Sequence, residues 1–370
     1  MVRQRHQPVK LKGDEAMTGR ERLTRVYDGK LADRIPWSPL FDEKTLSEYD
    51  ESVRKKGIIE FTRNIGADIF GRCGIINTEV NGAECTRVYD EADPTVYHDE
   101  IKTRKGSIKC SNHGHSIVEP LLKAPDSFDV WLDFYENRTF SVDCAQFFET
   151  EKEIGEDGMT ATFGSATPVQ TLVQNYMGVD NFAYALADYP AEMDELIERM
   201  HRKNVEMYKL VASKSPTKYV ILVENTSTTM ISPDIYRKYS MGHVKDFVDI
   251  MHESGKVAII HMCGLIKDIL PLIKNTGLDV IDCLTPPPTG NVLFEDAYRI
   301  IGGRLTIHGL LDPTHWLTCP AEAIRENIHR LLRKDFLDKP FILCTAADGM
   351  PGLPLEKFDA IRETIREYRF

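Results

Sequence analysis

Residues 232–264 read SPDIYRKYSMGHVKDFVDIMHESGKVAIIHMCG. Ser232 followed by Pro233 is an N-cap with proline at the first helical position, and Gly255 stands where a left-handed C-terminal cap is wanted. Between them Ile235, Tyr239, Val244, Phe247, Val248 and Met251 keep one apolar face at helical spacing. After the glycine comes a short apolar run, Lys256–His261, of strand length. The segment is one helix followed by one buried strand, the repeating half of an α/β fold.

The alternation continues outward in both directions. It predicts strands at Arg34–Phe41, Gly66–Phe70, Met159–Phe163, Lys218–Glu224, Lys256–His261, Asp279–Cys283, Arg304–His308 and Pro340–Cys344, each after a helix-like stretch. The longer helices are expected at Gly19–Gly29, Asp42–Asn64, Val142–Ile154, Asn181–Ser213 and Pro233–Ser254. Eight strands alternating with helices predict a closed (β/α)8 barrel of the TIM type rather than an open sheet. No Gly-x-Gly-x-x-Gly turn follows the first strand, which argues against the doubly wound alternative. From Glu79 to about Thr139 the rhythm breaks into β-branched and aromatic alternation with charged clusters and no long helix pattern. Thr103–Ile108 in this stretch reads as a hairpin turn with flanking strands. The expected organisation is a single barrel domain over residues 1–370. It carries an N-terminal tail at 1–18 and a β-rich insertion after strand 2, at about 79–139, on the face where barrel active sites form.

Composition narrows the function. Hydrophobic residues make up 42% of the 370, enough for a large core, and 46 basic against 57 acidic side chains leave a net charge of −11. No stretch is strongly basic, so binding to a nucleic-acid backbone is not expected. The longest apolar runs, such as Tyr219–Val223 and Val257–Ile260, are far shorter than the ~20 residues of a membrane span. Met1–Lys12 is polar and basic with no apolar signal core, and eight cysteines are too sparse for a secreted disulfide scaffold. Reduced thiols in a cytoplasm follow as the expectation.

The feature richest in chemistry is His261-Met262-Cys263-Gly264 at the end of the fifth predicted strand. Side chains at i and i+2 leave a strand on the same side, so an imidazole and a thiolate can reach one ion. Cys344, at the end of the eighth strand, supplies a third soft ligand. Two cysteines and a histidine with an open fourth position form a catalytic zinc pattern, whereas magnesium and calcium prefer oxygen shells. The bland alternative, cysteines packed at strand ends, stands beside it. The fourth strand ends in Glu224-Asn225, and Glu224 is a candidate zinc ligand, orienting group or acid/base, with a helix cap as the plain reading. His308 and Asp348 are candidates to touch the substrate or to support a zinc ligand from behind, and Asn225 joins them. Cys283 alternates away from Asp282 and reads as a packing residue. His113-Gly114-His115 reads as solvated, and Cys73, Cys85, Cys110, Cys144 and Cys319 show no Cys-x-x-Cys spacing. Neither a Gly-x-Ser-x-Gly elbow nor a Walker loop occurs.

Several stretches in order carry a family resemblance: Asp33-Arg-Ile-Pro-Trp37, Gln174-Asn-Tyr-Met-Gly-Val179, Ala187-Asp-Tyr-Pro190, Ser232-Pro-Asp234, His261-Met-Cys-Gly264, Thr285-Pro-Pro-Pro-Thr-Gly290 and Ile307-His-Gly-Leu-Leu-Asp-Pro313. From about Gly19 to Tyr368 the chain resembles the uroporphyrinogen decarboxylase family, particularly its zinc- and corrinoid-linked methyltransferase branch. The resemblance implies an eight-stranded αβ barrel and a zinc ion on His261, Cys263 and Cys344, with cobalamin carried by a partner corrinoid protein. The decarboxylase branch carries arginines just after the first strand that grip a tetrapyrrole's carboxylates; here WSPLFDEKTLSEY (37–49) has none, and no arginine lies between Arg34 and Arg54. Asp42 and Glu43 stand there instead. Within the methyltransferase branch two directions of transfer compete, and the long insertion with the Glu224-Asn225 strand end, in place of the paired aspartates of thiol-type members, points to transfer from a small O-methylated donor, such as a methoxylated aromatic, to cob(I)alamin. The alternatives are methyl transfer from methylcobalamin to a small thiol of the coenzyme M type, decarboxylation of a porphyrinogen-like acid, and a non-enzymatic module that docks a corrinoid protein. The partners implied are the corrinoid protein and the small methylated substrate, with a homodimer left open.

Overall fold

The caps that delimit the opening stretch form as the sequence requires. Ser232 Oγ accepts from Ile235 N–H at 3.2 Å. Gly255 takes φ +66°, its N–H donating to His252 O and that of Lys256 to Met251 O, both at 2.9 Å. The computed structural model describes residues 16–114, 116–302, 305–332, 337–345 and 350–368. Its strands are β1 (Ile69–Cys73), β2 (Ile76–Val80), β3 (Glu84–Tyr89), β4 (Val96–Thr103), β5 (Gly106–His113), β6 (Ser116–Glu119), β7 (Arg138–Val142), β8 (Gly158–Ala166), β9 (Tyr219–Val223), β10 (Val257–His261), β11 (Val280–Leu284), β12 (Thr306–Leu311) and β13 (Phe341–Thr345).

Seven of these form one curled, mostly parallel sheet in the order β1-β8-β9-β10-β11-β12-β13. With helices between the strands, this is an α/β architecture consistent with a TIM-type fold. The eighth strand expected at Arg34–Phe41 is reduced to one parallel bridge between Trp37 and Leu343. Pro36 and Pro39 explain the reduction, because neither can donate to a ladder. What remains is Ser38 N–H to Leu343 O at 2.8 Å, Leu343 N–H to Pro36 O at 2.9 Å, and, on the other side, Asp68 N–H to Trp37 O at 2.7 Å.

The chain packs as two compact units, one of Met1–Cys73, Ala145–Ala161 and Ile259–Phe370, the other of Gly74–Cys144 and Thr162–Ala258. In the first, β11 and β13 are buried throughout, and Trp37, Phe41 and Phe61 gather around Phe358. Each such aromatic, once buried, contributes about 1.5–3 kcal/mol. In the second unit β3–β6 form a four-stranded antiparallel sheet and β2 pairs with β7. The hairpin predicted at Thr103–Ile108 is present as the β4–β5 turn, with Thr103 opposite Gly106. The expected lack of a helix between Glu79 and Thr139 is corrected by the helix Pro125–Glu136. It buries Phe128, Trp131, Leu132 and Tyr135 at helical spacing.

Three predicted helices are interrupted for local reasons. Asp42–Asn64 becomes Glu43–Leu46, Glu51–Arg54 and Gly57–Asn64, with Gly57 at φ +78°. Asn181–Ser213 divides at Pro190, whose missing N–H suits a first turn and not a helix interior, into Val179–Asp188 and Pro190–Lys214. Pro233–Ser254 divides at Ser240, which takes φ −116°, into Pro233–Tyr239 and Met241–Glu253. Among the described residues no helix is long and apolar enough to cross a membrane.

Candidate functional site

Three neighbouring strand ends of the first unit, β10, β11 and β12, bring His261, Asp282 and His308 into one row. Their register pairs His261 with Asp282 and Asp282 with His308. Asp282 is fully buried. Its Oδ2 meets His261 Nδ1 at 2.9 Å and its Oδ1 meets His308 Nδ1 at 2.9 Å. From β1, Arg72 Nη2 reaches both carboxylate oxygens, at 3.0 and 3.3 Å. Burial alone would raise the Asp282 carboxyl; Arg72, His308 and His261 together hold it well below the usual carboxylate range. His308, also fully buried, meets Tyr27 Oη at 3.0 Å through Nδ1 and the Ser38 carbonyl oxygen at 3.2 Å through Nε2. The Arg72 guanidinium lies 4.7 Å over the Phe70 ring. His308 is thus a buried partner of Asp282, not a group on an open rim.

The consequence for His261 is orientation. With Nδ1 held by a carboxylate, Nε2 is the nitrogen left for a ligand, the arrangement seen behind metal-bound histidines. Burial would lower the His261 pKa, but the charge and hydrogen bond of Cys283 together with Asp282 outweigh it and push it up to about 10. The pocket is therefore rich in electron-pair donors and suited to a cation.

Cys283 was expected to pack away from Asp282, and here the structure corrects the reading. Strand alternation fails at this residue. Cys283 takes φ +67°, and the β11–β12 register jumps from Asp282 opposite His308 to Leu284 opposite Gly309. A left-handed residue carrying a Cβ costs about 1–2 kcal/mol and re-aims its side chain, as bulges do. Gly309 permits the bulge: a Cβ there would stand 2.5 Å from both Leu284 N and Leu284 O. The Cys283 thiol consequently lies beside the His261 and Asp282 ligand atoms, and Thr345 O stands 3.9 Å from it and 3.2 Å from Cys344 Sγ. Among the described residues, the ligand atoms of His261, Asp282 and Cys283 form the group lying within 4.8 Å of one another.

Cys344 is fully buried at the end of β13, with Sγ 3.2 Å from Thr345 O. Cys263 is partly exposed. On either side of it, Met262 N–H donates to Asp282 O at 3.0 Å and Gly264 N–H to Thr285 Oγ1 at 3.4 Å, so its backbone runs beside Cys283 and Leu284. The group that the structure brings together is one imidazole, one thiol and a carboxylate already engaged by Arg72; with Cys263 and Cys344 added as the sequence suggests, the donors would be nitrogen and sulfur, a set that fits zinc.

Glu224 belongs to the second unit. It is fully buried, and the Thr226 hydroxyl lies between Glu224 Oε1 and Gln170 Oε1, 3.0 Å from the latter. Among the described residues Glu224 Oε2 and the Tyr236 hydroxyl have no hydrogen-bond partner. Burial pushes the Glu224 carboxyl up to about 7, offset only in part by the hydroxyls of Thr167 and Thr226. Asn225, next to it, is half-buried. Asp348 and His115 lie outside the described residues, and His113 is exposed, 3.7 Å from Asp93.

Three participants escaped the sequence reading: Asp282, Arg72 and Cys283. Arg72 sits inside an otherwise apolar strand, a position where a charge is retained only with a buried partner, and that is the one signal that could have found it. Cys283 carried no signal, because nothing in its neighbours announces a left-handed non-glycine residue.

Comparison with known proteins places residues 141–368 in a match to the model of the family described as uroporphyrinogen decarboxylase (URO-D). Among curated proteins, a methylated-thiol–coenzyme M methyltransferase of Methanosarcina mazei is 25% identical over 212 residues, covering 57% of this chain and 54% of its own. A uroporphyrinogen decarboxylase of Carboxydothermus hydrogenoformans is 28% identical over 145 residues, covering 39% of each chain. The matches thus span about half or less of the length of these relatives. Among solved structures, a methyltransferase from Methanosarcina mazei superposes with a TM-score of 0.61 at 13% identity, over 95% of this chain and 99% of that one, a likeness of fold.

Proposed function

The chain belongs to the uroporphyrinogen decarboxylase family, and from that premise we propose that it is a zinc-dependent methyltransferase moving a methyl group from a small O-methylated donor to the reduced corrinoid of a partner protein. We read the fold as a TIM-type barrel completed by Arg34–Phe41, with the sheets between residues 76 and 142 as an insertion. The observation that supports the proposal is the donor group of His261, Asp282 and Cys283 on β10 and β11, centred on a histidine whose Nδ1 is held by Asp282. His261, Cys263 and Cys344 would hold the zinc, and the bound metal would supply a Lewis acid that draws charge from the donor oxygen.

The remaining roles fall to the chain's own side chains. Asp282 fixes the His261 tautomer, and Arg72 keeps Asp282 ionised. Glu224, with its carboxyl pushed up to about 7, is protonated for much of the time at neutral pH. A carboxyl with that value is chemically suited to general acid catalysis. In the balance of the reaction, the carbon–oxygen bond breaks toward oxygen, which takes a proton from a general acid. The methyl carbon accepts an electron pair from the reduced cobalt of the partner, which is a substrate here.

The test is a donor panel of methoxybenzoates, methanol and methylamines with free cob(I)alamin, followed by the spectral change on methylation. Donor-dependent methylation that stops on chelation supports the proposal. A second reading is favoured by the relative named for methylated thiols and coenzyme M: transfer from methylcobalamin to a small thiol. It would show as thiol-dependent loss of methylcobalamin with methoxyarenes ignored, an outcome that overturns the first. Porphyrinogen decarboxylation has less support, since Arg34, beside the first segment, is already bonded to Asp68 at 2.9 Å.

A further inference from the structure

A thiol in the inner layer of β11 is not what a regular strand would produce. Every residue of β11 is buried, so an outward-facing Cys283 would also have been packed, and without backbone strain. Instead Cys283 adopts the left-handed conformation, and the bulge is accommodated by the missing Cβ of Gly309. Strain of this kind persists where the surroundings over-determine it, and it clusters at functional sites. Its effect is to turn the thiol toward His261 and Asp282, with which it forms the tight donor group. The Thr345 carbonyl oxygen lies 3.2 Å from Cys344 Sγ and 3.9 Å from Cys283 Sγ, so the two sulfurs share one neighbour. Asp282 is already committed to His261, His308 and Arg72, so the unspent donor in the group is the Cys283 sulfur.

We propose that Cys283 is a metal ligand, the fourth protein donor to the ion held by His261, Cys263 and Cys344. The inference rests on the zinc reading of this site and deepens it. The resting centre would then be one imidazole and three thiolates, and the Lewis-acid role would require the metal to accept the donor oxygen as a fifth ligand. That differs from the two-cysteine, one-histidine site with a vacant fourth place which the strand ends alone suggest.

Zinc analysis and X-ray absorption at the zinc edge, on the full-length purified chain, test it. The expected result is one zinc per chain with three sulfur neighbours and one nitrogen. In Cys283→Ala one sulfur is replaced by a light atom, and zinc affinity in a chelator competition falls at least tenfold. In cobalt-substituted protein the thiolate-to-cobalt charge-transfer band should drop by about one third in Cys283→Ala, as three thiolates become two. The Cys73→Ala variant, which removes a buried thiol elsewhere, should leave the band unchanged. Two sulfur neighbours in the wild-type spectrum, or an unaltered sulfur count in Cys283→Ala, overturns the inference while leaving the zinc reading standing. A wild-type chain that takes up no zinc overturns both. The wild-type sulfur count is decisive on its own should the variant fail to fold.

Discussion

An unfolded chain ionises Glu224 near pH 4.5, whereas in the native protein burial delays ionisation to about 7. Between those values the native state holds a proton that the unfolded state has lost, so stability falls as pH rises through this window and stays low above it. The gap between 4.5 and 7 corresponds to about 3 kcal/mol. Urea unfolding at pH 5 and pH 8 should show this loss in the wild type and its disappearance in Glu224→Gln; equal slopes in both would reject the assignment. Asp282→Asn acts differently. It removes the acceptor that orients His261 and leaves Arg72 buried beside a neutral amide, so zinc affinity should fall about 10–100-fold and stability by about 3–5 kcal/mol. Chelator competition and thermal unfolding read the two effects, and a variant with wild-type metal affinity would exclude the orienting role. At this scale the sequence was legible where a residue's place follows from a strand end, as with His261, Cys344 and Glu224. It was silent on Cys283 and Arg72, whose positions depend on a bulge and on a partner 210 residues away.

Elements were legible wherever their boundaries rest on local chemistry. Ser232, Pro233 and Gly255 mark their helix ends by capping, and the predicted strands fall within a few residues of those observed. The misses share one cause, which is that apolar periodicity alone does not register a break. Gly57, Pro190 and Ser240 divide what the pattern joins, and Pro36 and Pro39 cut the first strand to a bridge. The β11–β12 pair makes a sharper expectation. Gly309→Ala forces a Cβ to within 2.5 Å of Leu284 backbone atoms, so the strands must separate. A cost of about 1–3 kcal/mol is expected, with a loss of zinc affinity in proportion as the bulge is undone. The equivalent change at Gly242, where a Cβ would meet nothing within 4 Å, is the control. Thermal unfolding of both variants checks it, and equal transitions would show that the close approach at Gly309 is not needed.

At the scale of the molecule, a donor set that binds a cation only when assembled must stabilise the unit that contains it. Zinc at a thousand times its Kd contributes about 4 kcal/mol to the folded state. Differential scanning calorimetry should therefore show a transition that zinc shifts upward and a chelator returns, while Glu224, in the other unit, leaves that shift unaltered when changed to Gln. A thermogram indifferent to zinc would remove the metal from the account. The two units also interleave along the chain: the first is left at Cys73, re-entered at Ala145, left again at Ala161 and completed only from Ile259 onward. During translation, at about 5–20 residues per second, Arg72 emerges long before its carboxylate partner, and Cys344 follows both Cys263 and Cys283. Until β13 arrives the growing chain must hold two thiols without their final neighbour, so metal loading becomes a late event in biogenesis, and chaperones have the most to protect in that interval.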